Sequence, residues 1–205
     1  MISMSKPRPI RRRALLETAL IATAWLVTGG HTPYRQWQVY RQRHLLIGAS
    51  KSDAPTYALG QQIAAVLAKH LPESSARVTR GPDPWRLASL LTTGQIAVVL
   101  LSTTDVLALS EGQDGFEAFG PTPLTALFGF GNHWLVCRPD FPDRHAYQVG
   151  ATLSEHASTI ADAAPPDAST SPVPIHPGMQ AYARGTPLPP PSDVAPPAES
   201  IPHRH

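Results

Sequence analysis

Two polar loops hold the side chains of this chain that are best suited to binding a small molecule. Each follows an apolar run that predicts a buried strand, at residues 45–47 and 96–101. Hydroxyl groups and free backbone N–H groups at the start of a helix can hold a carboxylate, and open α/β sheets bind small anions in such loops. The predicted ligand-binding residues are Ser50, Ser52, Thr56 and Tyr57 in the first loop and Ser102, Thr103 and Thr104 in the second.

A purely structural interpretation of the first loop is equally open. Thr56 can cap the helix that follows and Tyr57 can pack on it, because hydroxyl residues are common at helix caps for structural reasons alone. Lys51 could pair with an anionic ligand, although loop lysines are usually solvated. Asp53, two residues later, would oppose anion binding.

The chain carries none of the common catalytic motifs. It has no Gly-x-Ser-x-Gly motif and no phosphate-binding loop that ends in Gly-Lys-Ser/Thr. Its nine histidines are scattered, and the pair His203 and His205 at the terminus is weak support for a metal site. Cys137, the single cysteine, lies in an apolar run and should be buried and inert. We therefore expect a protein that is not an enzyme and has no cofactor or metal.

Charge divides the chain near residue 43. Residues 1–43 contain eight Lys and Arg residues against one acidic residue, whereas residues 44–205 contain nine basic and fourteen acidic residues. Nucleic-acid binding requires basic residues clustered on a folded face. The mildly acidic body therefore argues against a nucleic-acid partner.

Residues 1–30 predict an export signal or a membrane anchor. The basic run KPRPIRRR precedes apolar residues 14–27, which is the plan of a signal peptide, and the apolar stretch is shorter than the roughly 20 residues of a relaxed membrane span. The consecutive arginines resemble a twin-arginine signal, and no cleavage site is clean, so a cleaved signal and an uncleaved anchor both remain open. Residues 31–43 read as a linker or an interfacial spacer. We expect a protein that is exported or anchored to a membrane.

Residues 44–163 predict one α/β domain with a mostly parallel sheet flanked by helices. The apolar run 96–101 has no polar face and reads as the central strand. Strands are also expected at 45–47, 76–79, 124–130, 133–138 and 147–150, and helices at 84–91, 106–110 and 154–163. The helix after the first loop should bury a stripe formed by Ala58, Ile63, Val66 and Leu67.

Turn residues set several of the boundaries. Asp83 should cap the second helix at Pro84, and Gly94 should supply the left-handed turn after it. Gly131-Asn132 predicts a hairpin turn. Residues 164–205 hold 12 of the 23 prolines and predict a largely disordered tail. Within that tail, Pro177 could open a short helix that ends at Gly185.

Four segments in this order resemble the solute-binding subunit of TAXI-type TRAP transporters, a branch of the periplasmic binding proteins. IGASKSDAPTYALG is similar to the family's first strand and loop, with matches at Ile47, Gly48, Tyr57 and Gly60. WRLASLLTTGQIAVVLLSTTD is similar to the family's helix, turn, buried strand and polar loop. LVCRPDF resembles a later strand, and the segment around His176 resembles the family's carboxyl-terminal His-Pro-Gly-Ala.

The resemblance implies a periplasmic subunit that captures a small anionic solute, either an amino acid or a dicarboxylate, for the membrane subunits of a TRAP transporter. Such proteins have two α/β lobes that close on the ligand, and this chain has room for a single lobe, so a partner must supply the other half. The alternative is a membrane-anchored envelope interaction or scaffold module that has lost solute binding. Its proline-rich tail would then serve as a spacer or as a ligand for another protein.

Overall fold

The computed structural model of the chain describes residues 44–190. The predicted signal or anchor (1–30), the linker (31–43) and the end of the predicted tail (191–205, with His203 and His205) lie outside the described residues. Within residues 44–190, no helix is both long enough and apolar enough to cross a membrane.

The described residues form an α/β fold in which helices cover a six-stranded sheet. The strands are β1 (Leu46–Ser50), β2 (Arg77–Gly81), β3 (Val98–Ser102), β4 (Thr125–Phe130), β5 (His133–Cys137) and β6 (Ala163–Ala164). The helices are α1 (Ala54–His70), α2 (Pro84–Thr92), α3 (Thr103–Glu111), α4 (Asp143–Glu155) and α5 (Pro177–Ala183).

The sheet is mixed, and the prediction of a mostly parallel sheet is therefore wrong. The strand order is β2-β1-β3-β5-β4-β6. β2, β1 and β3 run parallel, whereas β5 is antiparallel to both β3 and β4, and β6 is antiparallel to β4. The reason is the predicted turn at Gly131-Asn132, where Gly131 has φ +59°. A two-residue turn can join only antiparallel strands, so β5 folds back and inserts between β3 and β4.

Helices α1, α4 and α5 pack on one face of the sheet, and α2 and α3 pack on the other. The central strand is confirmed as β3, because Val98 and Leu100 belong to the first core while Val99 and Leu101 belong to the second. Asp83 caps α2 as predicted, its Oδ1 accepting a hydrogen bond from the backbone N–H of Arg86 at 2.7 Å. Such burial on both faces fixes the sheet that carries the two polar loops.

The first helix is confirmed, but its buried stripe differs in part from the predicted one. Leu59, Ile63 and Leu67 form a line spaced by four residues that faces the sheet. Ala58 is exposed and Val66 is half-buried. One residue corresponds to about 100° around a helix, so the line through Leu59 turns Ala58 towards solvent.

Two predicted elements after residue 140 are wrong. Residues 147–150 lie inside the helix α4, and the predicted helix at 154–163 is replaced by a short 3-10 turn at Ala157–Thr159 and by β6. Ala146, Val149 and Leu153 in α4 are buried at helical spacing against the first core. A short apolar run such as 147–150 cannot by itself distinguish a strand from a buried helix.

The prediction of a largely disordered tail does not hold for residues 174–185, which pack on the body. The backbone N–H of Ala126 donates to the carbonyl oxygen of Pro174 (2.9 Å), and the backbone N–H of His176 donates to the carbonyl oxygen of Ala126 (3.0 Å). These bonds extend the sheet along β4 by one parallel bridge. The predicted short helix is confirmed as α5, which begins at Pro177 and is followed by Gly185 at φ +66°.

Candidate functional site

The two polar loops lie at neighbouring strand ends, as predicted. β1 and β3 are adjacent and parallel, so their carboxyl ends meet at the same edge of the sheet. The chain leaves β1 into α1 on one face and leaves β3 into α3 on the other face. Where the strand order reverses in this way, the diverging loops leave a crevice that serves as the usual ligand site of open α/β sheets. We call this region the switch-point crevice, formed by residues 50–53, 102–105 and 133.

Thr56 and Ser50 make the first loop rigid. Thr56 is fully buried, and its Oγ1 accepts a hydrogen bond from the backbone N–H of Ser50 (3.1 Å) and donates to the carbonyl of Asp53 (2.8 Å). The hydroxyl oxygens of Ser50 and Ser52 lie 2.9 Å apart. Ser50 is buried, whereas Ser52 is exposed. Thr56 therefore joins the end of β1 to the start of α1, and Ser52 is the hydroxyl of this loop that solvent can reach.

Tyr57 is held against the neighbouring strand. The Cζ atom of Arg80 lies 3.8 Å from the centre of its ring, and its hydroxyl accepts a hydrogen bond from Nε2 of Gln61 at 3.3 Å. An arginine over an aromatic face contributes roughly 0.5–1 kcal/mol at exposed sites. These contacts with Arg80 and Gln61 therefore explain why Tyr57 packs on β2.

The hydroxyls of the second loop also have protein partners. Ser102 caps α3, since its Oγ accepts from the backbone N–H of Asp105 (3.1 Å) and donates to Oδ2 of the same residue (2.7 Å). Oγ1 of Thr103 donates to the carbonyl of Asn132 and accepts from Nε1 of Trp134, both at 3.2 Å. Thr104 is exposed. Ser102 and Thr103 therefore hold the start of α3 against the β4–β5 turn.

Asp53 and His133 contact each other across the crevice. Neither residue is among the predicted ligand-binding residues. Nε2 of His133 lies 3.0 Å from Oδ2 of Asp53, and the two side chains are 17% and 25% exposed. His133 stands opposite Ser102 in the β3–β5 register, so the contact passes over the carboxyl end of β3. Asp53 is the N-cap residue of α1, yet its side chain makes no capping hydrogen bond. The pair combines an acid and a base in a place that solvent reaches.

The sequence indicates Asp53 as a charge that opposes anion binding but gives no signal for its partner His133. His133 is 80 residues away, and only the insertion of β5 beside β3 brings it to the crevice. The crevice then holds two carboxylates, on Asp53 and Asp105, beside one imidazole.

Two other residues with chemical potential have structural surroundings. Cys137 is buried as predicted, and burial raises the pKa of its thiol to about 12. His176 is fully buried, and Nε2 donates to the carbonyl of Phe141 (2.9 Å) while Nδ1 accepts from the backbone N–H of Gly178 (3.1 Å). Among residues 44–190, no group of three His, Cys, Asp or Glu side chains is placed to hold a metal ion.

Comparison with known proteins adds no relative to this picture. No family model matches the chain, and no curated protein matches it. The switch-point crevice and the sequence resemblance are therefore the features that bear on function.

Proposed function

We propose that this chain is a periplasmic solute-binding subunit of the TAXI type, which captures an amino-acid-like solute for the membrane subunits of a TRAP transporter. The observation that supports this proposal is the meeting of two polar loops at the ends of β1 and β3, with Asp53 and His133 between them. The order of the four sequence segments that resemble the family adds to it.

The charges of the crevice favour an amino acid over a dicarboxylate. An amino acid brings an ammonium group, which suits the carboxylate of Asp53, and a carboxylate, which suits the imidazole of His133. A dicarboxylate would bring two negative charges towards Asp53 and Asp105. Like charges about 4 Å apart near a protein surface repel by roughly 4 kcal/mol, so the second carboxylate would weaken binding.

A single lobe leaves one side of such a ligand exposed to water. Ser52 and Thr104 are exposed at the two sides of the crevice and are the hydroxyls that a solute would meet first. A partner that closes over them would supply the missing half of the cleft. The transporter or a second lobe would serve as this partner.

The second candidate is an envelope interaction or scaffold module without solute binding. The observation that favours it is the state of the seven predicted hydroxyls, of which six already hydrogen-bond to other protein groups in the described residues. Thr104 is the exception. Hydroxyls that are hydrogen-bonded in this way can stabilise a fold without any ligand.

Calorimetric and thermal-shift titration of the purified full-length chain separates the two candidates. We expect L-alanine to raise the melting temperature by about 5 °C or more at 100 times the dissociation constant, since binding then adds about 2.7 kcal/mol. Ser52→Ala should weaken binding, whereas Ser158→Ala, at an exposed serine outside the crevice, should leave it unchanged. No shift with L-alanine, L-glutamate or succinate would contradict solute capture and favour the scaffold.

A further inference from the structure

Asp53 occupies a position that its place in the chain does not explain. An aspartate at an N-cap usually accepts hydrogen bonds from the first N–H groups of its own helix. Here the carboxylate turns away from α1 and contacts Nε2 of His133 at 3.0 Å instead. Asp53 thereby gives up a capping bond for a contact that crosses the crevice.

His133 is well placed to receive a carboxylate from a ligand. It begins β5 opposite Ser102, at the carboxyl end of the central strand, and 17% of its side chain is exposed. Among residues 44–190, the one acidic side chain in contact with it is Asp53. Asp105 is turned to Ser102 of the same crevice, and Lys51 is exposed in the first loop.

We infer that Asp53 sets the charge class of the solute by occupying, on His133, the position that a ligand carboxylate would take. This inference rests on the proposed function and adds a selection rule to it. A monocarboxylate ligand with an ammonium group can displace Asp53 from His133 and pair its own ammonium group with the freed carboxylate. A dicarboxylate can offer no such exchange, because the displaced Asp53 carboxylate would face two further negative charges.

Removing the charge of Asp53 should therefore convert the site from one charge class to the other. Asp53→Asn retains an oxygen that can face His133, and asparagine is as good an N-cap as aspartate, so α1 should be retained. Asp53→Ser serves as a second variant, since serine is also a preferred N-cap. The matched control is Asp114→Asn, which removes one exposed acid beyond the far end of α3 at a left-handed position that asparagine tolerates.

The experiment measures the affinities of succinate and L-alanine by calorimetry for the full-length chain and the three variants. We expect Asp53→Asn and Asp53→Ser to bind succinate about tenfold more tightly and L-alanine about tenfold more weakly, with no change in Asp114→Asn. Adding His133→Leu to Asp53→Asn should abolish the gain for succinate, because the N–H donor that would hold the carboxylate is then missing.

The outcomes separate this inference from the proposed function. If the unchanged chain binds L-alanine and the ratio of the two affinities is the same in Asp53→Asn, the inference is overturned while solute capture stands. If the unchanged chain binds neither probe but Asp53→Asn binds succinate, the inference is supported and amino-acid capture fails. Failure of every variant to bind either probe would overturn both.

Discussion

Two histidines join distant parts of this fold in opposite ways. His133 contacts a side chain 80 residues away at the switch-point crevice, and both partners reach solvent. His176 contacts the backbone of Phe141, 35 residues away, with its ring fully buried and both ring nitrogens in use. A side-chain partner in contact with water can be exchanged for a ligand, whereas a buried backbone partner cannot. The first histidine is thus a candidate for function and the second for structure.

The switch-point crevice and the segment around His176 both include residues that resemble the same family. The residues around His176 are accounted for by packing: they attach residues 174–183 to β4 and α4. A resemblance in that segment therefore supports the fold and says little about a site. At the crevice, by contrast, the Asp53–His133 contact joins two side chains that solvent reaches.

The largest effect should come from filling the contact between α5 and α4. A Cβ atom on Gly178 would overlap the backbone carbonyl of Asp143 and lie 2.9 Å from Cβ of Ala146. Glycine to alanine in a helix usually stabilises by about 0.5–1 kcal/mol. Here we expect Gly178→Ala to lower the free energy of unfolding by roughly 3 kcal/mol, because overpacking against backbone cannot relax cheaply. Urea denaturation measures the difference.

Gly150→Ala provides the matched control on the facing helix. The atoms in its way belong to the flexible side chain of Met179, which can turn aside. Its loss should be smaller than that of Gly178→Ala. A stabilising Gly178→Ala would mean that residues 174–185 do not pack on the body, and the structural role of His176 would fall with it.

The second-largest effect should be a loss of stability at acid pH. Burial lowers the pKa of His176 below its ordinary value of 6.5, and the hydrogen bond to Phe141 and the charge of Asp143 offset only part of this lowering. The unfolded chain therefore binds a proton more readily than the folded chain between these two pKa values. His176 contributes its full stability above about pH 6.5, and this contribution is lost as the pH falls through the lowered pKa.

His176→Gln tests this sign. At pH 8 the variant should be less stable by about 2 kcal/mol, because glutamine cannot match both backbone bonds and the packing of the ring. As the pH falls from 7 towards 5, the unchanged chain should lose stability and the difference should narrow. The control is His145→Gln, at an exposed position on α4, which should stay within about 0.5 kcal/mol of the unchanged chain at pH 8. A difference that stays constant with pH would contradict the neutral, buried ring.

Much of the fold could be predicted from local signals. The strand, loop and helix at residues 46–70, the cap at Asp83, the central strand and the turn at Gly131 each follow from neighbouring residues. What failed depends on long-range placement. The mixed sheet requires β5 to insert between β3 and β4, and α4 is a helix because its apolar residues cover the first core.

The site was predictable to the same extent. The two loops and their place at adjacent strand ends followed from the pattern of apolar runs and polar breaks. Whether their hydroxyls are hydrogen-bonded to other protein groups could not be predicted, because the sequence does not distinguish a threonine that caps a helix from one that binds a ligand. The Asp53–His133 contact was out of reach for a further reason, because the strand that carries His133 reaches the crevice by a reversal of chain direction.

The smallest expected effect is a difference in stability between two serine variants in the crevice, one at a helix cap and one at an exposed hydroxyl. Ser102 caps α3 with two hydrogen bonds to Asp105, and Ser102→Ala should lower the free energy of unfolding by about 1 kcal/mol. Ser52 is exposed, and Ser52→Ala should stay within about 0.5 kcal/mol of the unchanged chain. Urea denaturation of the two variants in parallel measures both. Equal losses would show that the two hydroxyls serve the fold alike, which would count against Ser52 as a ligand-binding residue.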